Sequence, residues 1–175
     1  QMCIRDRCTL QPEFSLGLLR AAKDLGISTA IESMAYAKYE VIETLLPYLD
    51  TYLMDIKHMN PEKHKEYTGH DNLRMLENAL RVAHSGQTEL IIRVPVIPGF
   101  NATEQELLDI AKFADTLPGV RQIHILPYHN FGQGKYEGLN RDYPMGDTEK
   151  PSNEQMKAFK EMIQKNTSLH CQIGG

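Results

Sequence analysis

Three things are scarce in this 175-residue chain, and each scarcity removes a class of function. No apolar stretch approaches the ~18 residues of a membrane-spanning helix, and no signal peptide opens the sequence, so no membrane is expected as a partner. Basic charge is not in excess. The 19 Lys and Arg stand against 23 Asp and Glu, and they are scattered, which leaves nucleic acid without an electrostatic footprint. Cysteine is sparse: Cys3, Cys8 and Cys171 make an odd count with no close metal-ligand spacing. That usage fits a reducing cytoplasmic setting better than a disulfide framework. What remains is ordinary for one soluble globular domain, 41% hydrophobic and 24% charged.

The informative stretch is Tyr52-Leu53-Met54-Asp55-Ile56-Lys57, an apolar run with an acid and a base set two positions apart. On a strand the side-chain period is two, so Leu53, Asp55 and Lys57 share one face while Met54 and Ile56 share the other. An acid and a lysine facing inward at a buried strand end are costly unless they meet each other, a ligand or a metal. A structural Asp-Lys ion pair and a ligand site are both open on this stretch alone.

The rest of the chain alternates helix and strand. Residues 1–7 lack periodicity and look foreign, like a translated adapter remnant. A helix is expected from about Leu10 to Gly26, with Phe14, Leu18, Ala22 and Leu25 as its buried stripe. A strand over residues 27–31 then runs into Glu32 and Ser33. A helix over 38–49 follows, burying Val41, Ile42, Leu45, Leu46 and Leu49. After the central strand, Asn60-Pro61-Glu62 opens a short helical turn, and residues 71–85 form a helix with Leu73, Leu76, Leu80 and Ala83 inward, ended by Gly86. Residues 90–96 read as a third strand whose single charge, Arg93, needs a partner. Thr103 to Glu106 reads as a capping box in which Glu106 reaches back to the helix start. Residues 122–126 form a fourth strand ending at Tyr128 and His129. The connection from Asn130 to Lys150, with four glycines, is expected to be a functional lid that orders on partner docking. Ser152 to Gln155 is a second capping box, and Met156, Phe159 and Ile163 stripe the last helix. Leu169 to Ile173 offers a final strand.

This order predicts an α/β fold with about four parallel strands and outer helices, either an open sheet or part of a barrel. Every strand ends in polar groups, so one C-terminal mouth would gather them. Four strands cannot close a barrel, which points to missing sequence upstream.

Three blocks carry a resemblance: residues 52–59 (YLMDIKHM), 92–99 (IRVPVIPG) and 125–129 (ILPYH). In this order they resemble the activating enzymes of glycyl radical enzymes, a radical S-adenosylmethionine family that includes the pyruvate formate-lyase activating enzyme. The resemblance covers about residues 9–165. It implies that residues 9–175 are the C-terminal part of a radical S-adenosylmethionine partial (β/α)6 TIM-like barrel, preceded by a non-native leader over 1–8. It also implies an anaerobic oxidoreductase activity. A reduced 4Fe-4S cluster cleaves S-adenosylmethionine, and the resulting 5'-deoxyadenosyl radical takes a hydrogen from the glycine-loop domain of a partner glycyl radical enzyme. Flavodoxin or ferredoxin is the implied reductant.

By the same resemblance Asp55, Ile56 and Lys57 lie beside the methionyl part of the cofactor and His129 near its adenosyl part, with Arg93 facing the same cavity. Glu32, Ser33, Leu53 and Asp55 match a monovalent cation site, although Glu32-Ser33 stands where the family commonly has Asp-Thr. The chemistry suits the residue types, because a zwitterionic methionine end wants a carboxylate for its ammonium and a cation for its carboxylate. No residue is assigned as catalytic. The family's CxxxCxxC cluster motif is absent, and Cys3 and Cys8 fall in the leader. The strand over 27–31 is therefore expected to have an unpaired edge, and the chain alone to be inactive. Two other readings are a radical enzyme acting on a small molecule and a small α/β domain binding phosphate or a metal.

Overall fold

The computed structural model describes residues 8–129, 138–140, 142 and 148–174, together with the backbone of residues 2–5. The elements run β1 (Met2–Arg5), α1 (Pro12–Asp24), β2 (Thr29–Ser33), α2 (Tyr39–Leu45), β3 (Thr51–Asp55), α3 (Pro61–Thr68), α4 (Leu73–Ser85), β4 (Glu89–Val96), α5 (Glu104–Thr116), β5 (Gln122–Pro127), α6 (Asn153–Asn166) and β6 (His170–Ile173). They form one six-stranded sheet in the order β1-β2-β3-β4-β5-β6, parallel throughout. Because each crossover brings the chain back to the same end of the sheet, every strand's C-terminus opens at one mouth.

Two strands exceed the four expected. The tail over residues 170–173 does join the sheet. At the other edge the backbone of β1 pairs with β2 from Met2↔Thr29 to Arg5↔Glu32, so β2 is not the unpaired edge that the sequence suggested. Cys8 is likewise not loose: it is buried, and its carbonyl accepts the Ser15 hydroxyl at 2.8 Å. Most of the connection expected to act as a lid, 130–137, 141 and 143–147, lies outside the described residues.

The sheet's outer face and the helices share one apolar core. Ile31, Tyr52, Met54, Ile92, Val94, Ile123 and Ile125 pack with Leu19 of α1, Ile42 of α2, Val82 of α4, Ile110 of α5 and Phe159 of α6. Two helices present a face different from the one read from leucine spacing. In α1 the buried positions are Ser15, Leu19 and Ala22, while Phe14, Leu18 and Leu25 are exposed. Polar anchors set that rotation, since Ser15 is tied to Cys8 and Lys23 pairs with Asp50. In α4 Met75, Asn78, Ala79, Val82 and Ala83 are buried, while Leu73 and Leu80 are exposed. Here the Asn78 amide donates to the carbonyls of Ala35 and Ala37 at 2.8 and 2.9 Å, which draws its face inward. In α2 and the 3-10 turn after it the expected residues are buried, except that Val41 is only partly covered.

Helix ends follow local chemistry. Asn60 caps α3 by accepting from the amides of Glu62 and Lys63, and Gly69 ends it at φ 84°, a left-handed conformation costly for residues with a Cβ. Thr103 and Ser152 cap α5 and α6 through their hydroxyls. Glu106 does not complete the box with Thr103. Its carboxylate instead accepts the Met59 amide and lies 2.9 Å from His58 Nδ1, where it braces the loop beyond β3.

Candidate functional site

The mouth is built from the alternation of β3. Tyr52 and Met54 are buried against the helices, whereas Leu53 and Asp55 face the opposite, inner side and stay partly exposed. Pairing continues past the strand, as the Ile56 amide donates to the Arg93 carbonyl at 2.9 Å. Ile56 therefore points outward and Lys57 inward, beside Asp55.

Across the inner face, Asp55, Arg93, His124 and Gln172 form one row of register partners on β3, β4, β5 and β6. Arg93 reaches back over β3, and its Nη1 lies 2.8 Å from Glu32 Oε2 on β2. This supplies the partner that a lone arginine on a buried strand requires. Lys57 Nζ lies 3.1 Å from Asp55 Oδ2, so the structural ion pair considered from the sequence is present. It does not use up the carboxylate. Asp55 Oδ1 and Arg93 Nε are both buried and have no hydrogen-bond partner.

Two clefts meet at Asp55. One, of about 330 Å³, is lined by Leu10, Ser33, Ala35, Tyr36, Asp55 and Lys57. The other, of about 260 Å³, is lined by Glu32, Asp55, Arg93, Pro95, Tyr128 and His129. The structure thus brings Asp55, Lys57, Arg93 and His129 to one mouth. Ile56 lies on its outer side, within the core. Of the residues matched to a cation site, Glu32, Leu53 and Asp55 share the inner face, but Ser33 does not direct its hydroxyl there. That hydroxyl is 2.9 Å from the Tyr52 hydroxyl, on the helix side, and accepts the Ala35 amide. Among the described residues no group of three or more His, Cys, Asp or Glu is placed to hold a metal ion.

The loop carrying Lys57 is held by two buried asparagines and by a half-buried carboxyl paired with a buried histidine. Asn101 donates to the carbonyls of Lys57 and Pro95, both at 2.7 Å, and accepts the Ile97 amide. Asn72 donates to the carbonyls of His58 and Met59 at 2.6 and 2.8 Å. Glu106 and His58 close the set. Burial pushes the Glu106 carboxyl up and the His58 imidazole down, so each is driven toward its neutral form. None of these supports was read from the sequence, where Asn72 and Asn101 look like ordinary helix-start residues.

His124 was also missed. It is buried, both ring nitrogens lack partners, and burial followed by the charge of Arg93 holds its pKa below the usual imidazole value. Period two along β5 from Gln122 would have placed it inward. The two described thiols are poor cluster ligands. Cys8 and Cys171 are both buried, Cys171 sits on edge strand β6, and burial raises its pKa to about 11.

This parallel sheet with helices on its outer face recurs in solved structures. A domain of pyruvate-formate lyase-activating enzyme from Bacteroides vulgatus superposes with a TM-score of 0.81 at 24% identity, covering 100% of both chains. Streptococcus suis SuiB bound to S-adenosylmethionine matches 92% of this chain and 34% of its own, with a TM-score of 0.66 and 16% identity. These likenesses establish the fold. A search against family models finds no match.

Sequence relatives narrow the class. The chain is 42% identical over 139 residues to an isethionate sulfite-lyase activating enzyme of Nitratidesulfovibrio vulgaris, covering 78% of this chain and 44% of the relative. It is 34% identical over 166 residues to a 4-hydroxyphenylacetate decarboxylase activating enzyme of Clostridioides difficile, covering 94% and 52%. A pyruvate formate-lyase-activating enzyme of Streptococcus mutans is 32% identical over 165 residues, covering 91% and 62%. These sequence relatives are thus activating enzymes of glycyl radical enzymes, matched over most of this chain. It spans about half the length of the curated relatives it matches.

Proposed function

We propose that this chain supplies the inner-face part of an S-adenosylmethionine site in a cytoplasmic activating enzyme whose substrate is a glycine of a partner glycyl radical enzyme. The observation that carries the reading is the pair of buried, unpartnered atoms Asp55 Oδ1 and Arg93 Nε, one acceptor and one donor, at the mouth of a chain homologous to such enzymes. They suit a methionyl end that carries an ammonium and a carboxylate. Lys57 adds a second cation, fixed by its bond to Asp55 and by the Asn101 grip on its carbonyl. His129 lines the cleft beyond Arg93, where an adenosyl group would extend.

When bound, S-adenosylmethionine supplies the hydrogen-abstracting chemistry. The residues of this chain bind and orient it and limit water in the mouth. A 4Fe-4S cluster and a reductant such as flavodoxin or ferredoxin belong to the same proposal. The described residues offer no ligand set for that cluster.

The test is a nuclear magnetic resonance titration of the methyl-labelled chain with S-adenosylmethionine. Shifts are expected at the Ala35, Ile97 and Leu126 methyls around the two clefts, with Val82 and Ile163 in the outer core unmoved. No shift at millimolar ligand, or shifts confined to the far end of the sheet, would remove the proposal.

A further inference from the structure

The residues that match a monovalent cation site do not fit a cation in this chain. Ser33 turns its hydroxyl to Tyr52, and Glu32 is engaged by Arg93 at 2.8 Å. At the mouth the inner face therefore sets two carboxylates, Glu32 and Asp55, against two tethered cations, Arg93 and Lys57.

We infer that the Arg93 guanidinium takes the place of an alkali-metal ion here, so that the ligand site operates without one. Register explains how. Arg93 is the β4 partner of Asp55, and Glu32 is the β2 partner of Leu53, two positions before Asp55 on the same face. A side chain leaving β4 must pass over β3 to reach Glu32, through the space between the two carboxylates. The Arg93 and Glu32 side chains are only 13% and 11% exposed, so an alkali-metal ion entering there would have to displace a charge bound covalently to the sheet. A guanidinium is always charged and more weakly hydrated than an ammonium, which suits it to such a site. A hard cation wants several oxygen ligands, and these residues leave mainly the Asp55 carboxylate to offer.

One consequence rests on the proposed ligand: a methionyl carboxylate meets Arg93 Nε directly, without a bridging ion. The charge balance itself does not depend on that reading. The experiment therefore begins without S-adenosylmethionine. Thallium(I), a potassium stand-in observable by nuclear magnetic resonance, is titrated into the chain, and thermal unfolding is followed in potassium, sodium and choline chloride at equal ionic strength.

The expected result is no saturable thallium binding and the same Tm in all three salts. In Arg93→Met the Glu32 carboxylate loses its cation, while Asp55 keeps Lys57. Potassium or sodium should then raise Tm above the choline value by about 3 °C or more, and adding Glu32→Gln should abolish that preference. Saturable thallium binding to the unaltered chain that is lost in Glu32→Gln would overturn the inference. So would a folded Arg93→Met protein with no ion preference, or an ion requirement that emerges once S-adenosylmethionine is added. If Arg93→Met does not fold, the titration of the unaltered chain decides the matter.

Discussion

The two faces of the sheet follow one alternation to opposite ends. On the outer face Met54, Ile92, Ile123 and Ile125 are fully buried, and their neighbours are aliphatic side chains from the helices. On the inner face the positions between them are Glu32, Leu53, Asp55, Arg93 and His124, and three of these carry buried polar atoms without partners. The outer face is finished by the chain's own packing, while the inner face has polar groups left for something else. Unpaired polar atoms cost stability when no ligand or water meets them, so a fold that keeps three such residues in neighbouring register has given up stability along that row. The loop supports at the mouth show the contrast locally. Asn72 and Asn101 donate to backbone carbonyls and fix the loop, whereas Asp55 and Arg93 each keep one buried atom without a partner.

The largest effect separating the faces should come from cavities. Ile92→Ala should cost about 3 to 4 kcal/mol in urea unfolding, because the outer core cannot collapse around the lost atoms. Leu53→Ala, on the half-exposed inner face, should cost about 1 kcal/mol or less. Equal losses would erase the distinction.

Next comes the ion pair across β3. Arg93→Met strands the Glu32 carboxylate in a mostly covered site and should cost about 2 to 3 kcal/mol, toward the lower part of the range for buried pairs because some exposure remains. The double variant Glu32→Gln/Arg93→Met should regain at least half of that loss. A double variant less stable than Arg93→Met alone would contradict the assignment of Glu32 as the group left stranded.

Smaller again is a pH effect. Burial lowers the pKa of His58, His64 and His124 below the ordinary imidazole value, so the unfolded chain takes up protons that the folded chain refuses. Their contribution is fully present above the unfolded pKa of about 6.5 and is lost as pH falls toward their lower folded values. Glu106 acts oppositely. Its raised pKa gives a contribution that is full below its unfolded value and is lost as pH rises through the folded one. Unfolding free energy should therefore drop between pH 7.5 and pH 5.5, and by less in His124→Gln. An unchanged slope in that variant would mean that His124 is not held neutral.

Much of this contrast was legible in the sequence, because period two in a strand needs no tertiary information. The placement of Asp55 and Lys57 against Met54 and Ile56 followed from it, as did the parallel α/β order and the gathering of polar strand ends. The helix faces were harder to read. Leucine spacing put Phe14 and Leu18, or Leu73 and Leu80, inside, but Ser15 and Asn78 turned those helices by satisfying backbone carbonyls outside them, of Cys8 just before α1 and of Ala35 far away in sequence. The strand over residues 2–5 was missed for a related reason, since its pairing with β2 is a property of backbone register that composition does not signal. Glu106 was assigned to its own helix start, and only the fold shows that Met59 and His58 compete for it more successfully.

The central claim is that the inner face at β3 is where the ligand is held, and calorimetric titration of the chain with S-adenosylmethionine tests it most directly. Asp55→Asn and Lys57→Met should each weaken binding by tens-fold or more, equivalent to about 2 to 5 kcal/mol for losing a desolvated charged contact. Met54→Leu, one residue from Asp55 but on the other face, should leave affinity unchanged. Equal affinity in the Lys57→Met and Met54→Leu proteins would contradict the account.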